Sequence, residues 1–232
     1  MKIDKELYSK LETIVETHIR NWTKNKLKDD LLQGFDISFV TNGFPKESQF
    51  YGAINRSLDS SLGCLYEKLI EQISIYYNEF TTKKLKTINK STKAKRKSGY
   101  KVDLLFHRNG NVFIFELKLH CKLDNKKAKA EKKSLKIIKE AYKNEINIDE
   151  NNIHPFLGVI GNKDGEFPND FKMGRLKEAF DRTEILVEKE LFDFVSGVDG
   201  FFTEFKEFKS KFIDPKIYES IEVIKKHYKV NE

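Results

Sequence analysis

The chain has 232 residues, a net charge of +7, 34% charged residues and 39% apolar residues, with 19 Phe among the latter. That is enough apolar material to bury the core of one domain of ordinary to large size, but no run approaches the roughly 18 apolar residues that a membrane span needs. Two cysteines, Cys64 and Cys121, exclude a disulfide framework, and no Cys/His cluster has zinc spacing, so the expectation is a reduced, cytoplasmic, soluble protein whose basic balance favours polyanionic partners.

In chain order, residues 3–26 predict a helix, because Leu7, Leu11, Ile14, Val15, His18, Ile19 and Trp22 recur at three- and four-residue steps. Residues 27–52 are mixed, with Gly34, Gly43 and Pro45 marking loops. A second helix is expected from about Asn55 to Phe80 on the stripe Leu58, Leu62, Leu65, Leu69, Ile70, Ile73 and Tyr77. Nine of the nineteen residues 83–101 are Lys or Arg and none is acidic, which predicts an exposed basic loop or an irregular extension leading into the sheet. Lys101–His107 and Asn111–His120 read as two strands. A Lys-rich helix follows from about Asp124 to Lys143, with Ala128, Leu135, Ile138 and Tyr142 as its inward stripe. His154–Gly161 reads as a buried strand and Glu184–Val187 as a short one. Helices at about Gly200–Phe212 and Pro215–Lys229 close the chain. No internal repeat or linker divides it, so residues 1–232 are expected to form a single domain.

The two central strands can be registered on paper. Asn109-Gly110 between apolar runs is a strong signal for a tight hairpin. With those two residues at the reversal, Arg108 pairs with Asn111 and His107 with Val112, and the same sum sets Asp103 opposite Glu116. Directly paired residues share a face with Cβ atoms about 5 Å apart, and Lys118, two residues on, shares it too. Val102, Leu104, Phe106, Phe113, Phe115 and Leu117 are assigned to the other face, as core. Two carboxylates and an amine beside a core repel or desolvate one another unless something compensates. Mg²⁺ does so, since it takes one or two carboxylates plus waters and phosphate oxygens. A surface salt bridge, Glu116 to Lys118 or Asp103 to Lys101, is the plainer reading of the same residues.

Val102-Asp103, a twelve-residue gap, then Glu116-Leu117-Lys118 resembles the PD-(D/E)XK nuclease superfamily, with Val102 in place of the family's proline. The resemblance spans about residues 55–161. It implies an α/β fold with a restriction-endonuclease-like core, a central mixed sheet of four or five strands flanked by helices, and helical additions at both ends. It also implies that Asp103 and Glu116 ligate Mg²⁺ with help from the Leu117 carbonyl, and that Lys118 orients and activates the attacking water. The run Ser60–Glu67 is similar to the helix before the active site of some type II restriction enzymes, which makes Glu67 a further acidic candidate; a solvated, ion-paired Glu is the alternative. Glu190–Gly197 loosely resembles a segment after that core.

Lys93, Lys95, Arg96, Lys97 and Lys101 lead straight into Asp103, where phosphate contact is the functional reading and a solvated charge run the alternative. His120 continues the Glu116–Lys118 face and is a candidate phosphate contact. No phosphate-binding G-x-x-x-x-G-K-[ST] loop, G-x-G-x-x-G after a strand or G-x-S-x-G is present. The expected function is a Mg²⁺-dependent, sequence-specific double-stranded DNA endonuclease of type II. A homodimer would match a palindromic site, and a DNA methyltransferase would be encoded nearby. The competing readings are another nuclease on the same core, serving repair, recombination or a mobile element, and a non-catalytic nucleic-acid-binding protein.

Overall fold

A computed structural model describes residues 3–28, 46–84, 101–120, 125–146, 148–161, 176 and 178–229. The chain divides into two compact units, residues 1–69 with 203–232, and residues 70–202.

The first unit is helical. Helix α1, Lys5–Lys26, starts where the Asp4 side chain accepts a hydrogen bond from the Leu7 amide at 2.9 Å, satisfying one of the first-turn donors that a helix leaves unpaired. Its buried stripe is Leu7, Leu11, Val15, Ile19 and Trp22, as the periodicity predicts. Helix α2, Lys46–Tyr77, starts nine residues ahead of the expected Asn55. Residues 46–52, part of the stretch read as mixed, therefore belong to it, and Phe50 and Ile54 are what it buries there. These two form a cluster with Trp22 and with Ile224 from the last helix, contacts too distant in sequence for local patterning to reveal. The Trp22 indole donates to Ser57 Oγ at 3.0 Å and the Tyr228 hydroxyl to the Lys26 carbonyl at 2.6 Å. Gly34, Gly43 and Pro45 lie outside the described residues.

The second unit is built on a five-stranded mixed sheet in the order β1-β2-β3-β4-β5: β1 Phe80–Lys84, β2 Lys101–Arg108, β3 Asn111–Lys118, β4 Ile153–Val159 and β5 Ile185–Val187. The first three run antiparallel, and β3, β4 and β5 run parallel. Strand β1 was not expected: Phe80-Thr81-Thr82-Lys83-Lys84 is a short edge strand with no alternating pattern to announce it. The β2–β3 hairpin has the register worked out from the sequence, from Arg108↔Asn111 to Leu104↔Phe115. Asn109 and Gly110 both take positive φ, 52° and 73°, the left-handed pair that a two-residue reversal needs to match the twist of its strands.

Both faces of this sheet are covered, as parallel sheets require. Helix α3, Asn125–Ile146, lays Ala128, Leu135, Ile138 and Tyr142 on Leu105, Val112, Ile114 and Leu157. On the other face Phe106, Phe113, Phe115 and Phe156 surround Phe194 of helix α4, Lys189–Ser196, at ring separations of 5.1 to 6.4 Å. The assignment of all hairpin core to one face is thus corrected: the carboxylate face is apolar too, further along the strands. Val102 is also corrected. It packs with Leu105 under α3 and not with Leu104 and Phe106, because the paired register stops at Leu104 and strict alternation stops with it.

Arg108 fixes the tip of the hairpin. Its guanidinium donates to Asn78 Oδ1 at 2.8 Å and to the carbonyls of Phe194 and Val195 at 2.7 Å each, sharing the first carbonyl with the Gly197 amide and the second with the Asn78 side-chain amide. Helix α5, Phe201–Phe208, a π-helical turn, Lys209–Ile213, and helix α6, Asp214–His227, complete the chain. Among the described residues no helix is long and apolar enough to cross a membrane.

Candidate active site

The expected Asp103–Glu116 strand pair is not part of the regular ladder, yet the open end of the hairpin brings Asp103, Glu116 and Lys118 into one region. Beyond Leu104↔Phe115 the two strands no longer pair backbone to backbone in the regular register. There the Leu117 amide donates to Asp103 Oδ2 at 2.8 Å, so the Asp103 side chain takes the place of a strand carbonyl and is held against β3. Next along β3, Glu116 Oε1 lies 2.5 Å from Lys118 Nζ. The alternate spacing of a strand puts both on one face. This ion pair is the contact that the plainer reading expects, but it is largely shielded from water, with side chains 15% and 24% exposed.

Its electrostatics are not those of a simple surface pair. Burial, and then the charge of Asp103, push the Glu116 carboxyl up to about 7 against the pull of Lys118. Burial lowers Lys118, but its hydrogen bond to Glu116 and the charges of Glu116 and Glu131 outweigh this and hold it above its ordinary value. The site therefore carries more negative charge than one lysine neutralises. Two carboxylates near enough for the charge of one to raise the other are hard oxygen donors of the kind that suit a divalent cation, which takes one or two carboxylates and fills its remaining positions with water or phosphate. Among the described residues no group of three His, Cys, Asp or Glu side chains is placed to hold a metal ion.

The sequence model of the type II restriction endonuclease HinfI family matches residues 75–212. The chain belongs to that family. No curated protein and no solved structure matches it. As a type II restriction endonuclease it is a hydrolase of restriction–modification systems that acts on DNA, and its α/β architecture, a mixed sheet between helices, agrees with that fold.

The other predicted residues of this restriction endonuclease fall as follows. Asp103, Glu116, Leu117 and Lys118 lie inside the matched region, and Glu67 lies before it. Glu67 sits partly buried in α2, within the first unit. Lys101 is the first residue of β2. His120 follows β3 and is exposed. Lys93, Lys95, Arg96 and Lys97 lie outside the described residues. Sequence reasoning missed Glu131, whose carboxylate reaches Lys118 from α3 at 3.1 Å. The signal for it was its place in a lysine-rich helix, three residues after Ala128 and four before Leu135, which puts an acid on the sheet-facing flank.

Proposed function

We propose that this restriction endonuclease is a PD-(D/E)XK enzyme that hydrolyses double-stranded DNA at a specific sequence with Mg²⁺. Asp103 and Glu116 would hold the cation. The Leu117 carbonyl would assist, since the amide and carbonyl of one strand residue point the same way and that amide faces Asp103. When bound, the cation supplies charge stabilisation for the phosphate and lowers the pKa of the attacking water. Lys118 orients that water and takes up negative charge developing beside the scissile phosphate. Glu67 is a further acidic contributor. Lys93, Lys95, Arg96, Lys97, Lys101 and His120 bind flanking phosphates, which positions the duplex without reading its sequence. The protein acts as a homodimer in the cytoplasm, beside a methyltransferase that protects the same site.

The observation that carries this reading is the convergence of Asp103, Glu116 and Lys118 at one end of a hairpin, with Glu116 pushed to about 7 by burial and by its acidic neighbour. The test is plasmid cleavage with and without Mg²⁺. Discrete fragments are expected from wild type, with rates roughly 100- to 1,000-fold lower for Asp103→Ala and Lys118→Ala. Random or structure-selective cutting would point to a repair or recombination nuclease. Intact plasmid across divalent metals and sequences, with DNA still bound, would leave a binding protein.

A further inference from the structure

Helix α3 brings a third carboxylate to the ammonium of Lys118. Glu131 Oε1 lies 3.1 Å from Lys118 Nζ, while Glu116 Oε1 lies 2.5 Å from the same atom. Glu131 is the one acidic residue between Asn125 and Lys139, a stretch with seven lysines, yet it turns to a strand lysine. Its backbone is firmly placed, because Ala128 and Leu135 on either side are buried against the sheet that carries β3. We propose that Glu131 is a positioning residue, which grips Lys118 from α3 and keeps the ammonium in the site when Glu116 turns to the cation.

This proposal rests on the nuclease reading above. With a cation bound, Glu116 would turn part of its charge away from Lys118, and the ammonium would meet like charge nearby. Lysine is a point charge on a flexible four-carbon stem, so with Glu116 as its sole anchor it would swing toward water. A carboxylate fixed on a packed helix removes that freedom. Glu131 Oε1 meets the ammonium of Lys118, and among the described residues no three such groups are placed around a metal position. Its partner is the lysine.

The experiment compares Glu131→Gln, which keeps the side chain's size, and Glu131→Ala with wild type. It measures kcat, KM for DNA, the Mg²⁺ concentration giving half-maximal rate, and the thermal midpoint. Lost positioning of a group around a reaction centre costs roughly 10- to 100-fold. We expect that loss in kcat, with KM, Mg²⁺ requirement and midpoint within about twofold or a few degrees of wild type, and no further loss when Glu131→Ala is added to Lys118→Ala. Unchanged kcat in both variants overturns the proposal. So does a loss that appears as a raised Mg²⁺ requirement, which would make Glu131 a ligand, or one that multiplies with that of Lys118→Ala. Wild type that cuts no DNA with any divalent metal overturns the nuclease reading along with it, whereas active wild type with indifferent Glu131 variants overturns the positioning role alone.

Discussion

At the level of single residues, Glu116 is the group under most strain. Burial and Asp103 raise it from an ordinary 4.5 to about 7, so the folded protein holds this proton more tightly than the unfolded chain does. Stability from that difference is fully present below about 4.5 and is lost as pH rises through about 7. The thermal midpoint of the metal-free protein should therefore fall across that window, and Glu116→Gln should flatten the fall; a midpoint that climbs across it in wild type alone would contradict the assignment. Adding a divalent cation near neutrality should raise the midpoint in wild type and much less in Glu116→Gln, because a ligand that binds the folded state stabilises it by mass action. The two-residue reversal made the pairing legible from Arg108↔Asn111 to Leu104↔Phe115, which brings Asp103, Glu116 and Lys118 to one end of the hairpin, but the Asp103–Glu116 pair expected by the same sum lies past the last regular pair. Glu131 was not legible as part of that group. Its spacing from Ala128 and Leu135 puts it on the sheet-facing flank, but that spacing does not say which strand residue it meets.

Among the elements, the hairpin and the strand beside it set the site. Gly110 has φ of 73°, which costs an L residue roughly 1–2 kcal/mol; Gly110→Ala should lower stability by about that much in denaturant titration without altering side-chain packing at the far end. Gly158 in β4 lies beside Leu117, and a Cβ there would meet Leu117 Cδ2 at 2.6 Å and Leu191 Cδ1 at 3.1 Å. Gly158→Ala should therefore cost about 1–3 kcal/mol from overpacking. It should also slow cleavage, since Leu117 sits between Glu116 and Lys118; full activity at unchanged stability would show that the packing there is loose. Helices α1 and α3 were readable because each has a clean apolar stripe at helical spacing. Helix α4 and strand β1 were not, being short: eight residues dense in Leu, Phe and Val carry no unambiguous period, and five residues at a sheet edge need pair on one side only. The early start of α2 escaped because its first turns are fixed by Trp22 and Ile224.

For the molecule as a whole, the +7 charge bears on affinity and not on fold. DNA binding should weaken steeply with salt. Replacing Lys93, Lys95, Arg96 and Lys97 together by Gln should reduce the slope of log K against log salt by up to about 3.6, at roughly 0.9 for each phosphate that is no longer neutralised. An unchanged slope would make that run a solvated exterior. Sedimentation of free and DNA-bound protein tests the homodimer. The mixed sheet and its flanking helices were foreseeable because Asn109-Gly110 marks the antiparallel pair, and the long helix between two apolar strands marks a parallel crossover. No shift in composition accompanies the two compact units, each of which has a buried cluster of its own.

Arg108 and its three acceptors pin the hairpin at the reversal, so any change in strand length must be taken up at the opposite end. Adding one residue between Asn111 and Phe115 would turn Glu116 and Lys118 into the phenylalanine layer, and adding two would return them to the side they left. Length variation tolerated in this part of the enzyme should therefore obey parity: natural or engineered insertions that keep cleavage come in even numbers, and odd ones silence it.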